Sequence, residues 1–414
     1  MRKNILYATA LTMGLAFTAM SCDDNNETPA GGNDYKNPAE VEYTADNADN
    51  WHAYMMQVAQ LLDRDATDLN SYWSVSYDRT GGTPYAQVFK DHNNSTFSSA
   101  LSCVEQILDG CYDIANEVGD AKIGDPYDLY VAGNTTEALY AVESWYSWHS
   151  REDYSNNIIS IYNALCGTRE SNVVGEQLIL PDESAIIENS IFAKLRKVDA
   201  ATATATLQAV KAAHDAILNI PAPFRNHINS SEALAAQQAC LDLADLLTQG
   251  STNVKRILRD AVTAGTLTDA ELDGVVDNYV DVVVLPTYAD LEEEAGNLLA
   301  AIGELNNSRT DANFRNACNA WLAARVPWET SEAFLFGPVA DEGLDPNMDS
   351  WPLDLDGIVN TLQGGDFSGL TWSGEFIVDE NGDPIESIAA VQSVRGFHTL
   401  EFLLFYNGEP RSVN

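Results

Sequence analysis

The chain has 414 residues, and 62 Asp and Glu against 22 Lys and Arg give a formal net charge of −40. A body this acidic repels phosphate backbones, which excludes nucleic acid as a partner and favours cations only through a general long-range field. The length exceeds one ordinary domain, so two are expected.

Arg2 and Lys3 precede an apolar run from Ile5 to Met20 that ends Ala19-Met20-Ser21-Cys22. This is the pattern of a secretory signal peptide over 1–21, followed by a lipid-acceptor cysteine, Cys22. A transmembrane helix is the competing reading, but about 20 apolar residues are needed to span a bilayer and this run is shorter. Residues 22–50 open Asp23-Asp24-Asn25-Asn26-Glu27 and bury too little apolar surface to fold, so they predict a lipidated, flexible tether. Lipid is then the only membrane tie, and the chain is expected in the cell envelope at the outer membrane, facing either the periplasm or the surface. With Cys22 lipidated, an odd number of cysteines remains (Cys103, Cys111, Cys166, Cys240, Cys318), so no disulfide framework is expected.

Beyond residue 50 the apolar periodicity is helical almost throughout. It runs over Trp51 to Trp73, Ala86 to Val118, Thr136 to Leu165, Ser184 to Ile220, Ser231 to Leu247, Asp269 to Leu305, Ala312 to Phe336 and Ile385 to Phe405. Pro221 and Pro223 end one helix, and Ser230-Ser231 can cap the next. Thr371 to Val378 instead alternates Trp372, Gly374, Phe376 and Val378 before Asn381-Gly382, which predicts a β-hairpin. The expected fold is all-α: helical bundles over 51–255 and 270–414, divided near Gly250 to Leu272, with one small hairpin insertion.

The histidines offer no HExxH, and no nucleophile elbow or phosphate loop is present. His398 and Glu401 lie three apart on a helix dense in Phe397, Leu400, Phe402, Leu403, Leu404 and Phe405, so both should share one buried face. A buried carboxylate needs a cation, a metal or several donors. The plain alternative is an internal His–Glu hydrogen bond with Arg395 nearby. Further metal ligands would come from Glu329 and Glu332, although Arg325 and Glu329, four apart, can simply pair. His149 and Glu152 repeat the HxxE spacing before a polar run, and the acid-rich stretch Asp341 to Asp349 reads as a solvated loop.

Gly396-Phe397-His398-Thr399-Leu400-Glu401 resembles the GxHxxE signature of the imelysin-like proteins. Pro327 to Pro338, Asp349-Ser350-Trp351-Pro352-Leu353 and Val282 to Tyr288 resemble further family blocks. So do Lys122 to Pro126, Glu143-Ser144 with Ser147, and Asp153-Tyr154 with Asn157. The half bearing GxHxxE comes last here, whereas the family places it first, so the chain looks circularly permuted. The acidic stretch after Cys22 resembles the surface-export signal of Bacteroidetes lipoproteins.

The resemblance implies an all-helical protein with the signature helix near a bundle interface, a tie to bacterial iron uptake, and a peptidase-family label. Carried over by position, His398 and Glu401 form the site core and Gly396 allows close packing. Glu329, Glu332, Arg325, Glu143, Ser144 and Asp125 are lining candidates. The expected function is binding of iron, another divalent metal or a small iron-bearing ligand, with no protein partner indicated. A metallopeptidase using His398 and Glu401, or a structural surface protein, are the alternatives.

Overall fold

The structure is a computed structural model, and it describes residues 41–175, 177–371 and 392–413. The expected signal peptide, Cys22, most of the expected tether and the hairpin expected around Asn381-Gly382 lie outside the described residues. No helix among the described residues is long and apolar enough to cross a membrane.

The protein is all-α. In chain order the helices are α1 Ala48–Ser74, α2 Tyr85–Asp91, α3 Ala100–Glu117, α4 Asp125–Val131, α5 Thr135–Ala141 and α6 Ser150–Cys166. Then follow α7 Ile191–Val198, α8 Ala200–Asn219, α9 Ser231–Ala244, α10 Val254–Thr263, α11 Asp269–Asn278 and α12 Leu285–Asn307. The last are α13 Asp311–Glu329, α14 Pro338–Asp341, α15 Leu344–Asp349, α16 Leu355–Gly364 and α17 Gly396–Leu404. Two small antiparallel hairpins, Asn172–Val174 with Gln177–Ile179 and Phe405–Tyr406 with Glu409–Pro410, are the described β-structure.

Local chemistry sets the helix ends. Ser230 caps α9 by accepting from the Ala233 amide at 3.1 Å, the role its sequence position suggested. Ser99 closes a reciprocal capping box with Ser102 at the head of α3. Between α3 and α4 the backbone widens into a π-helical turn, Val118–Gly124, which carries Lys122.

The described residues form one compact unit. Helix α1 packs along α12 and also meets α15 and α17, so elements of the two expected halves share one core. The stretch Gly250 to Leu272 contains α10, which buries Val254, Leu258 and Ala261 in that core.

Several expectations need correction. The helical pattern from Ala86 to Val118 is interrupted over 92–99, between α2 and α3. The helical pattern from Thr136 to Leu165 is broken over 142–149, where Ser144 and Trp148 have φ of 51° and 67°. The pattern from Ser184 to Ile220 is likewise split into α7 and α8, with Asp199 capping the second piece. The acid-rich Asp341 to Asp349 is not a solvated loop: it holds the last residue of α14 and all of α15, and the Asp349 side chain is only 3% exposed. The cause is a close approach. Gly396, at φ 83°, begins α17 so near α15 that an added Cβ would lie 2.4 Å from the Met348 carbonyl oxygen.

Candidate metal centre

That approach delivers Asp349 to His398. On the Nε2 side of the ring, Asp349 Oδ1 lies at 3.1 Å and Glu143 Oε1 at 3.3 Å. On the other side, Nδ1 lies 3.0 Å from Glu401 Oε2. The Trp351 ring meets the imidazole edge-on, with centroids 4.9 Å apart. The His398 ring and the Glu401 carboxylate are fully buried.

Glu401 is the orienting partner of this histidine. Its Oε1 accepts from the Tyr146 amide at 3.0 Å, the Ser147 amide at 2.7 Å and the Ser147 hydroxyl at 2.7 Å. These donors come from the break at 142–149, whose positive-φ residues turn successive amides towards one oxygen. With Oε1 held by these three donors, Oε2 accepts from His398 Nδ1 and so fixes Nδ1 as the protonated ring nitrogen. Nε2 is left to face Glu143 and Asp349.

Around this core the charges alternate. Lys122 Nζ sits 2.6 Å from Glu143 Oε2 and 3.6 Å from Glu117. Arg325 pairs with Asp349 and with Glu329, and reaches Asp153 Oδ2 at 3.2 Å and Glu143 Oε1 at 3.3 Å. Trp328 Nε1 donates to Asp349 Oδ2 at 2.6 Å, and Ser144 donates to Asp153. Glu332 and Asp345 complete the acidic group; each is coupled electrostatically to Lys122 and to its acidic neighbours.

The electrostatic consequences follow from burial against partners. Burial opposes charge on His398, but Asp349, Glu143 and Glu401 overcome it and hold its pKa well above the ordinary histidine value. Burial pushes Glu143 up; Lys122 and His398 outweigh it and hold the group down at about 2. Asp349 is lowered in the same way by Arg325 and His398. Burial wins at Glu329 and Glu332, which are raised well above the usual carboxylate range, and at Asp345, pushed up to about 7 with help from Glu117 and Asp349.

Two sets of donors converge closely enough for an ion. In each of Glu143, Asp349 and His398, and Glu329, Glu332 and Asp349, the ligand atoms lie within 4.8 Å of one another. The first set fits a metal by its chemistry: one imidazole nitrogen backed by a carboxylate on its far nitrogen, with two further carboxylates in front.

Of the residues singled out in the sequence, His398, Glu401, Glu143, Ser144, Arg325, Glu329 and Glu332 are brought together here. Asp125 is not: it is exposed at the head of α4, where burial and its neighbours Asp120 and Asp128 raise its pKa. The Arg325–Glu329 pair and the internal His398–Glu401 hydrogen bond both form. Arg395 belongs elsewhere: it pairs with Asp65 at 2.6 Å. Sequence reasoning misses Asp349 as a site residue, although its block resembles the family's, and it misses Lys122 as the counter-ion of Glu143.

The chain is similar to known proteins over most of its length. The imelysin family model matches residues 24–249 and 284–413. The first segment holds Lys122, Glu143 and Asp153, and the second holds Arg325, Asp349, His398 and Glu401. A crystal structure of an imelysin peptidase from Bacteroides ovatus superposes with a TM-score of 0.81 at 49% identity, over 91% of this chain and 100% of that one. Iron-regulated protein A of Synechococcus elongatus is 33% identical over 135 residues, which are 33% of this chain. That match spans about a third, 32%, of the curated relative's own length. The chain belongs to the imelysin family.

Proposed function

We propose that this imelysin is an envelope-anchored protein that binds iron, or another divalent metal, through Glu143, Asp349 and His398 in an iron-uptake role. The carrying observation is the division of labour on His398: Nδ1 is tied to Glu401, while Nε2 meets two carboxylates at 3.1 and 3.3 Å. Without metal, a proton on Nε2 supplies the positive charge those carboxylates need. A metal ion replaces that proton and uses the same three groups. The choice of iron is supported by the name of the iron-regulated relative. The lipid anchor at Cys22 and attachment to the outer membrane are part of the proposal.

The test is metal analysis of protein purified after growth in iron-supplemented medium, wild type beside His398→Ala. Wild type should carry metal and the variant should not; equal content in both removes the proposal.

A metallopeptidase is the second reading, supported by the name of the Bacteroides ovatus relative. We rank it lower because His398, Glu401 and Glu143 are buried to 5% side-chain exposure or less, which leaves a polypeptide backbone no approach to them. Cleavage of denatured protein that disappears with a chelator and in Glu401→Ala would reverse the order.

A further inference from the structure

We infer that Arg225, together with Trp145 and Trp148 of the break at 142–149, binds a small anionic molecule through its carboxylate or phosphate group. This site is separate from the metal-binding reading and needs no ion at His398.

Arg225 is fixed in place but left unpaired. It sits in the short helical turn Phe224–Asn226. Its Nη1 donates to the Trp145 carbonyl at 3.0 Å. Its guanidinium carbon lies 3.6 Å from the centre of the Trp145 ring and 5.7 Å from the Trp148 ring. Stacking and one hydrogen bond therefore orient the group. Among the described residues no acidic group pairs with it, and neither Nε nor Nη2 has an acceptor. These two nitrogens form an edge of the fork that grips a carboxylate or phosphate by two parallel hydrogen bonds. The chain has 62 Asp and Glu to offer, yet none occupies this edge. Burial lowers the Arg225 pKa, and Glu401 and the nearby tyrosines do not outweigh it.

The aromatic walls lack acceptors as well. Trp145 is 5% exposed and its Nε1 has no partner, and the buried Nε1 of Trp148 has none. Together with Arg225 Nε, that makes three buried N–H donors in one stack without an acceptor, a condition natural proteins seldom leave unanswered. The stack is also held by costly backbone. Trp148 has φ 67°, and Gly408, at φ 80°, packs so closely that an added Cβ would lie 2.6 Å from the Trp148 ring. Arg225 and Trp148 remain part-exposed, so the stack is open to solvent. The net charge of −40 repels large polyanions, which restricts the ligand to a small molecule with few acidic groups. The same break turns its Tyr146 and Ser147 amides to Glu401, so one loop serves both this site and the His398 centre.

The experiment is calorimetric titration of metal-free full-length protein with sodium citrate and, separately, sodium phosphate. Wild type should bind one or both saturably: citrate alone marks a carboxylate ligand, phosphate alone a phosphorylated one. Arg225→Gln should weaken binding by about 10- to 100-fold, the size of a lost hydrogen bond to a charged group. Arg225→Lys keeps the charge but not the fork and should fall between the two. In nuclear magnetic resonance of the wild type, the indole N–H signals of Trp145 and Trp148, assigned with Trp145→Phe and Trp148→Phe, should move on adding the anion. That measurement needs no Arg225 variant, so it decides the question even if Arg225→Gln is unstable. No saturable binding by wild type, equal binding by Arg225→Gln or Arg225→Lys, or unmoved signals of both tryptophans would each overturn the site.

Discussion

Lys122 Nζ lies 2.6 Å from Oε2 of Glu143, the carboxylate whose other oxygen faces His398. The π-helical turn Val118–Gly124 thus supplies a built-in cation to a group that is otherwise poised for a metal. Removing one partner of a buried pair leaves the other charge uncompensated, at about 3–5 kcal/mol. Lys122→Met should therefore lower the stability of metal-free protein by about 3 kcal/mol in urea denaturation, with part of the loss recovered when Mn2+ is added. A loss below about 1 kcal/mol would mean that Glu143 does not depend on Lys122.

On the proposed reading, Glu401 would act on a metal only through the ring it orients. Glu401→Gln replaces the carboxylate that accepts from Tyr146 N, Ser147 N and Ser147 Oγ, and weakens the hold on Nδ1. Loss of such an outer partner typically costs 10- to 100-fold in affinity. The expected result is a fall of about that size in Mn2+ affinity by calorimetric titration with the helical circular dichroism unchanged. Unaltered affinity would assign the carboxylate a purely internal role.

Gly396 is required by space as well as by backbone angle. Gly396→Ala places a methyl 2.4 Å from the Met348 carbonyl oxygen at a φ of 83°, so α15 or α17 must shift. The strained backbone alone costs about 1–3 kcal/mol. Thermal unfolding should show a Tm several degrees lower, and Mn2+ binding should weaken because Asp349 follows Met348. A variant with wild-type Tm and affinity would contradict the close approach.

His52 gives a pH signature away from the centre. Burial, aided by the positive charge of Arg309, pushes it down from 6.5 to about 4. Tyr43 Oη lies 2.9 Å from its Nε2. As pH falls through 6.5 the unfolded chain takes up this proton, but the folded chain does so only near 4. The contribution is therefore complete above 6.5 and declines between 6.5 and 4, by on the order of 2 kcal/mol after allowance for screening. Urea midpoints measured across that window should flatten in His52→Phe relative to wild type; an equal slope in both would remove His52 as the cause.

The helical class was legible because period and caps are local. Ser230 caps where its position predicted, and His398 and Glu401 share a buried face because three residues is nearly one turn. What escaped depends on contacts far along the chain. Leu139, Val142 and Tyr146 continue a helical apolar pattern, yet the backbone breaks there so that two amides reach Glu401, 255 and 254 positions away. Asp349 sits in a stretch whose composition matches a solvated loop, and contacts from distant positions, with Arg325, Trp328 and His398, bury it. Local propensity carries no trace of either tertiary effect.

Glu143 and His398 are separated by 255 positions, and the stretches between and around them each lend one or two groups to the same small volume. A chain cut or stalled anywhere between those positions has no ion-holding pocket at all, in either piece. On the proposed metal-binding reading, loading would therefore report that the molecule is whole and fully folded, and it could not seed the early collapse of the polypeptide. Release should follow the same rule: loosening one helix dismantles the pocket at once, so the cargo leaves in a single event and not ligand by ligand.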